Sequence, residues 1–173
     1  DVDENDFKWM VIQGGQAGIA LFDEGDPADP SDDRCRVFSS GNSELPTNQT
    51  NCLVVDREGD VWVGTSEGVV IFECGGNAFD PNCQGTRRIV QQDGVNAFLL
   101  GTEDVQTIAV DGANRKWVGT RNGVFVLSPD GEEEVQRFTT DNSPLFDNAI
   151  IDIAISEQTG EAFIGTNRGV LSY

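Results

Sequence analysis

Histidine is absent from this sequence: none of its 173 residues is one. The absence excludes Ser-His and Cys-His nucleophile pairs, the usual zinc and iron ligand sets, and the commonest general base near neutral pH. Basic residues are scarce, because 11 of them stand against 30 acidic residues and leave a formal net charge of −19. A field of this sign repels phosphate groups, so we expect neither nucleic acid nor an anionic membrane surface as a partner.

Long apolar runs are missing as well. No stretch approaches the roughly 20 apolar residues that a bilayer requires, so we expect no membrane insertion. The first residues, DVDENDFKWM, have neither the basic start nor the apolar segment of a signal peptide. We therefore expect either a processed chain or a part of a longer one.

Only four cysteines are present, and they form no C-x-x-C pair, which argues against a redox motif or a zinc knuckle. Cys74 and Cys83 bracket GGNAFDPN, whose Gly, Asn and Pro residues can fold the chain back and bring the two sulfurs together. We predict a disulfide between them, which implies an oxidising compartment. Free cysteines in a cytosolic protein are the alternative. The pairing of Cys35 with Cys52 stays open.

One segment recurs along the chain. VWVGTSEGVVIF at 61–72 returns as KWVGTRNGVFVL at 116–127 and as AFIGTNRGVLSY at 162–173, and a looser copy lies at 8–22. A catalytic loop does not usually occur four times at a period of about 50 residues, whereas a structural repeat does.

The residues before each copy predict a hairpin. In CLVVDREGD at 52–60 an apolar alternation ends in an acid and a turn. The acid, a turn residue and a tryptophan keep relative positions 1, 4 and 7 in three copies: Asp3, Asp6 and Trp9; Asp56, Gly59 and Trp62; Asp111, Asn114 and Trp117. Gly, Asn and Asp tolerate positive φ best, and the leading Asp can bond its own turn. We place strands near 52–56, 61–65 and 69–73, with equivalents in the later copies.

A fourth short strand is predicted after each third one, at 36–40, 87–91 and 135–140. Four antiparallel strands per repeat, with an aromatic residue in the second, are typical of a β-propeller blade. We predict an all-β chain with one β-propeller region over 1–173. Its blades are placed at about 1–40, 51–91, 105–140 and, incomplete, 150–173.

Two patterns resemble a known family. N-S-x-L-x-x-N, followed by I-A-V-D-x-x-x-x-x-W-V-G-T-x-x-G-V, resembles the two-component-regulator propeller repeat, found in extracytoplasmic sensor regions of hybrid histidine kinases. Within that group, VDGANRKWVGTRNGVF, NSPLFDNAIIDIAI and TGEAFIGTNRGVLSY resemble the propeller region of PorZ-like proteins of type IX secretion more closely. The resemblance covers nearly the whole chain and implies no catalytic residues.

The predicted first blade lacks its first strand and the fourth blade lacks its last. Propellers usually close with 4 to 8 complete blades. We therefore expect the remaining blades of a longer chain, or a head-to-tail homo-oligomer, to cover the exposed edges.

Two features qualify as candidate sites. The acidic loop 23–34 has the oxygen density to hold Ca²⁺, but it lacks the EF-hand spacing, so a solvated loop is the favoured interpretation. The tryptophans Trp9, Trp62 and Trp117 can stack on sugar rings if they are exposed. Their fixed place in the second strand favours packing between blades.

Functions of two classes remain. The first is an exported, non-catalytic propeller in the periplasm or at the cell surface, which binds proteins or a glycan such as lipopolysaccharide. The PorZ-like resemblance implies a role in type IX secretion and surface attachment, and the kinase resemblance implies a periplasmic glycan sensor. The second class is a carboxylate-dependent glycan hydrolase or lyase, which needs two carboxylates at a set separation. We expect no enzyme, no cofactor and no metal site, and we expect function in the loops 23–34, 74–86 and 92–104.

Overall fold

The computed structural model describes residues 1–14, 17–92 and 95–173. Their regular elements are β-strands joined by turns and loops, apart from one short 3-10 helix, Gly75–Asn77. The strands in chain order are β1 Lys8–Ile12, β2 Gly18–Asp23, β3 Arg34–Phe38, β4 Thr50–Val55, β5 Val61–Thr65, β6 Gly68–Phe72, β7 Ile89–Gln92, β8 Val95–Phe98, β9 Val105–Val110, β10 Lys116–Thr120, β11 Gly123–Leu127, β12 Glu134–Phe138, β13 Ile150–Ile155, β14 Ala162–Thr166 and β15 Gly169–Ser172. No described helix is long and apolar enough to cross a membrane.

Neighbouring strands pair antiparallel into small sheets that follow one another along the chain. We name them sheet 1 (β1–β3), sheet 2 (β4–β6), sheet 3 (β9–β12) and sheet 4 (β13–β15), with a separate hairpin of β7 and β8 between sheets 2 and 3. The first strands of sheets 2, 3 and 4 lie side by side. Because the innermost strands of propeller blades lie in this way around the axis, the all-β propeller prediction is confirmed.

Most strand positions agree with the sequence. The predicted strands near 52–56, 61–65 and 69–73 correspond to β4, β5 and β6, and the predicted fourth strands at 36–40 and 135–140 correspond to β3 and β12. The prediction that residues 87–91 form the fourth strand of the second blade is wrong. Residues of this segment form β7, which pairs with β8 rather than with β6.

The space beside β6 is filled in another way. Thr86 makes a single bridge to Ile71 at the edge of β6. Leu99 and Leu100 are buried in the core cluster that contains Trp62. In sheet 3, the corresponding fourth strand ends in Phe138, which stacks on Trp117. The leucines after β8 thus supply the apolar surface that a fourth strand supplies elsewhere, which leaves β7 and β8 free to pair with each other.

Each sheet buries one face against the next sheet. In sheets 1, 2 and 3 the tryptophan that follows the acid-led turn lies on the face that meets the following sheet. Three core clusters result, between sheets 1 and 2, between sheets 2 and 3, and between sheets 3 and 4. Trp9, Trp62 and Trp117 are 2%, 1% and 5% exposed. They therefore pack between sheets, as the sequence favours, and their rings are closed to a sugar.

The acid of each turn accepts several hydrogen bonds. One oxygen of Asp56 accepts the backbone N–H of Glu58 (2.9 Å) and of Asp60 (3.0 Å), and the other accepts the indole N–H of Trp62 (3.1 Å). Asp3 and Asp111 make the equivalent bonds in their own turns. The fourth turn residues Asp6, Gly59 and Asn114 have φ values of 61°, 87° and 61°. The predicted hairpin chemistry is confirmed, and the spacing repeated in the three turns places each acid within reach of its own indole N–H.

Candidate functional site

The loop after β6 is closed by a disulfide between Cys74 and Cys83, whose Cα atoms are 5.8 Å apart. We call residues 74–86 the disulfide loop. Ala78 and Cys83 within it are buried in the core cluster shared by sheets 1 and 2. The loop is therefore anchored to the body of the protein rather than extended into solvent.

Arg36, on the last strand of sheet 1, fixes the shape of the disulfide loop. Its guanidinium donates to the carbonyl oxygens of Ala78 (2.9 Å), Asp80 (2.5 Å) and Cys83 (2.8 Å). Three bonds from one planar group orient the loop backbone strongly. Sequence reasoning missed this residue, because its partners lie more than 40 positions away and no local pattern marks them.

Aromatic contacts add a second attachment. The ring of Phe79 meets the ring of Phe7 edge-on, with centroids 5.4 Å apart, and the guanidinium of Arg34 lies 4.4 Å from the Phe79 centroid. The disulfide, the Arg36 bonds and these contacts together make the loop a rigid surface against sheet 1.

An open groove of about 550 Å³ lies between this loop and the connector from sheet 1 to sheet 2. Its lining combines an aromatic ring and a proline with hydroxyl, amide and guanidinium groups: Arg36, Ser40, Gly41, Asn42, Ser43, Phe79, Pro81 and Gln84. Asn42 is held in place, because its amide oxygen accepts the backbone N–H of Ser39 and its amide nitrogen donates to the carbonyl of Val37. The groove is thus preformed and offers mixed polar and apolar contacts, the usual character of a ligand site.

The acidic loop 23–34 uses its carboxylates locally. Asp23 forms an ion pair with Arg34, Asp29 accepts the hydroxyl of Ser31, and Asp32 accepts the backbone N–H of Asp26. Within the described residues, no group of three or more acidic or cysteine side chains is placed to hold a metal ion. Hydrogen bonds within the loop therefore set its turns.

The hairpin of β7 and β8 is a surface that the sequence did not reveal. Its residues Ile89, Val95 and Phe98 are all exposed, and the guanidinium of Arg87 lies 3.8 Å from the Phe98 centroid. The predicted functional loop 92–104 overlaps this hairpin, and its residues 93 and 94 lie outside the described part of the chain. Exposed apolar side chains on a short hairpin are a candidate protein contact.

The two remaining cysteines are free thiols, so the open pairing of Cys35 with Cys52 is not formed. Cys35 is exposed on β3, whereas Cys52 lies on β4 between sheets 2 and 3. Burial raises the pKa of Cys52 to about 12. Such a thiol is inert at neutral pH.

Asp56 and Asp60 are two close acids whose pKa values diverge. Burial, with repulsion from Asp56, raises the pKa of Asp60 to about 6. Burial is the largest single influence on the pKa of Asp56 and raises it, but the hydrogen bond and charge of Lys116 and the backbone N–H groups of Glu58 and Asp60 together outweigh it, so the net shift is downward. Split pairs of this kind occur in acid–base active sites. Here the oxygens of Asp56 already accept hydrogen bonds from two turn N–H groups, from the Trp62 indole and from the Lys116 ammonium. Asp56 therefore has a structural role.

The model for the two component regulator propeller family matches residues 44–67. The structure of PorZ, a bacterial surface component of the type-IX secretion system of Porphyromonas gingivalis, resembles the chain with a TM-score of 0.87 and 27% identity. The resemblance to two-component-regulator propeller repeats is confirmed. That match covers 100% of this chain and 25% of the PorZ chain, so the chain spans about a quarter of its relative.

Two other solved structures are similar to this chain, at lower TM-scores. The extracellular domain of a hybrid two component system from B. thetaiotaomicron matches with a TM-score of 0.72 and 25% identity, over 99% of this chain and 20% of that one. A structure named as a gluconolactonase matches with a TM-score of 0.59 at 11% identity, over 99% of this chain and 56% of that one, which shows the fold alone. No curated protein sequence matches the chain.

Proposed function

We propose that this chain is a non-catalytic propeller region exported to the periplasm or cell surface, where it binds a protein or a glycan such as lipopolysaccharide for type IX secretion and surface attachment. The observation that carries the proposal is the likeness to PorZ over the full chain. The Cys74–Cys83 disulfide supports an oxidising, extracytoplasmic location.

We propose the groove beside the disulfide loop as the binding site. Phe79 and Pro81 supply apolar contact area there, and Arg36 and Gln84 supply hydrogen-bonding groups on a fixed backbone. Buried aromatic anchors dominate binding energy at such surfaces. The net charge of −19 opposes anionic ligands elsewhere on the surface, which favours contacts at this mixed groove.

Surface plasmon resonance on the immobilised chain tests the site. Purified lipopolysaccharide and purified type IX secretion proteins are passed over the wild type, Phe79→Ala and Phe146→Ala. Phe146 is a matched control, because it is a half-exposed aromatic residue in the connector between sheets 3 and 4, outside the groove lining. We expect Phe79→Ala to weaken binding by at least about tenfold and Phe146→Ala to leave it unchanged. Absence of binding by the wild type to both kinds of ligand contradicts the proposal.

The second candidate function is a periplasmic glycan sensor of a hybrid two-component system. The likeness to the B. thetaiotaomicron extracellular domain and the family match at 44–67 favour it. Deleting the gene in its host separates the two candidates. A sensor loses the transcriptional response to a glycan, whereas a secretion component loses attachment of cargo at the surface.

A glycan hydrolase or lyase is the third candidate. The close acids Asp56 and Asp60 belong to a structural turn. Two acids beside the inner strands, Asp104 and Asp152, accept bonds from Asn51 and Thr107 across neighbouring sheets. We expect no release of reducing ends or unsaturated products when the chain is incubated with polysaccharides, and turnover by the purified chain would restore the enzymatic class.

A further inference from the structure

The chain has only two lysines, Lys8 and Lys116, and each directly precedes a tryptophan. They also hold the same place in their sheets. Lys8 opens the second-strand equivalent of sheet 1 and pairs across to Phe22, and Lys116 opens the second strand of sheet 3 and pairs across to Leu127. Both side chains therefore belong to the face that points toward the preceding sheet.

Lys116 is completely buried between its own sheet and the preceding one. Its ammonium lies 2.6 Å from a carboxylate oxygen of Asp56 and 4.5 Å from the ring centroid of Trp62, both of which belong to sheet 2. It also donates to the carbonyl oxygen of Pro129 at 2.6 Å. The side chains of Lys116 and Asp56 are 0% and 1% exposed. A lysine at this position thus binds the acid that opens the turn of the sheet before it.

Lys8 has no such enclosure. Its side chain is 35% exposed and forms an ion pair at 2.7 Å with Glu24, from the loop of its own sheet. Met10 on the same face is 44% exposed, although its equivalent in sheet 3, Val118, is fully buried. Sheet 1 therefore presents the face that sheets 2, 3 and 4 each bury against a preceding sheet.

We propose that the outer face of sheet 1 binds a further sheet of this repeat type whose turn begins with an acid, and that Lys8 leaves Glu24 to pair with that acid. The buried interface between sheets 2 and 3 supplies the geometry, since Asp56 and Trp62 show where the acid and the indole lie. This inference does not depend on which ligand the chain binds.

A second copy of the chain offers an incomplete match to this face. The outer face of sheet 4 is apolar and open, because Phe163 takes the place of Trp62 and is 40% exposed. However, Ser156 follows β13 where Asp56 follows β4, so the copy lacks the acid at the start of this turn, which is one residue longer than that of sheet 2 because Ser156 N–H bonds the carbonyl of Glu161 whereas Asp56 N–H bonds that of Asp60. A second copy can therefore serve to test the proposal, because one substitution at Ser156 introduces a carboxylate into this turn.

Sedimentation equilibrium of the full chain tests the proposal. We expect Ser156→Asp to associate head to tail at least about tenfold more tightly than Ser156→Asn, which has the same shape without the charge. Adding Lys8→Met to Ser156→Asp must remove this gain. High salt is used, because it screens the general repulsion between chains of charge −19 more than it screens a buried pair.

Three results of the association measurement would contradict the pairing of Lys8 with an acid. Equal association of Ser156→Asp and Ser156→Asn, or a gain that survives Lys8→Met, overturns the proposal. If the wild type already associates as tightly as Ser156→Asp, a second copy occupies the face without an acid, and the role of Lys8 is wrong. Urea midpoints equal to that of the wild type exclude misfolding of the variants.

Discussion

Removing the carboxylate of Asp56 strands a buried charge, and this consequence can be isolated with a matched control. Asp56→Ala removes the acceptor of two turn N–H groups and of the Trp62 indole, and it leaves the ammonium of Lys116 buried without its counter-ion. Breaking a buried ion pair from one side costs about 3–5 kcal/mol.

Asp111→Ala is the control, because it removes the same turn and indole bonds in sheet 3. The basic partner of Asp111 is Arg115, whose side chain is 42% exposed and can turn into water. We therefore expect a loss of about 1–3 kcal/mol, the cost of the lost hydrogen bonds alone. Because the lost hydrogen bonds are the same in both variants, the difference between them, about 3–5 kcal/mol, measures the stranded lysine.

Urea unfolding of both variants by circular dichroism gives the two free energies of unfolding. Adding Lys116→Met to Asp56→Ala is expected to recover most of the difference. The pKa of Asp56 is lowered in the folded state, so its contribution is complete above the unfolded value of about 3.9 and is lost as pH falls through the folded value. The gap between wild type and Asp56→Ala must therefore narrow in acid. Equal losses for Asp56→Ala and Asp111→Ala would refute the reasoning.

Further measurements address other groups. The raised pKa of Asp60 means that its charge destabilises the fold, and this loss grows as pH rises from the unfolded pKa of about 3.9 to the folded pKa of about 6. Asp60→Asn is therefore expected to raise the urea midpoint at pH 7.5 and to leave it nearly unchanged at about pH 3, where Asp60 is protonated in both the folded and the unfolded state. A thiol reagent on the oxidised native chain is expected to label Cys35 and to reach Cys52 only after unfolding; labelling of both at equal rates contradicts the burial of Cys52. The Cys74→Ser, Cys83→Ser double variant is expected to lose about 2–3 kcal/mol of stability, and reduction is expected to raise the mass of the wild type by two hydrogens.

The repeating part of the fold follows from the sequence because its determinants are local. Alternating apolar residues set the strands, and a leading acid with a residue of positive φ sets each turn. The spacing of Asp56, Gly59 and Trp62 is a pattern within seven residues, and its bonds close inside the same hairpin. The position of β5 therefore follows from residues inside its own hairpin and does not depend on the surrounding sheets.

The candidate site depends on contacts that no local pattern encodes. Arg36 reaches carbonyls of the disulfide loop 42 to 47 positions away. The segment at 87–91 has the alternation of a fourth strand, yet β7 pairs with β8 because Leu99 and Leu100 fill the space beside Trp62. The composition of one strand cannot show which apolar residues, fifty positions apart, compete for the same volume.

The residue before the second-strand aromatic distinguishes one interface between sheets from the next. It is Val61 facing the turn of Asp3, Lys116 facing that of Asp56, and Ala162 facing that of Asp111. Where Ala162 supplies no charge, Arg115 from the same turn binds Asp111 instead. A buried ion pair adds little net stability compared with apolar packing, but a mismatched one is costly. The charge at this position therefore differs from one interface between sheets to the next, and at the open face of sheet 1 it is the positive charge of Lys8.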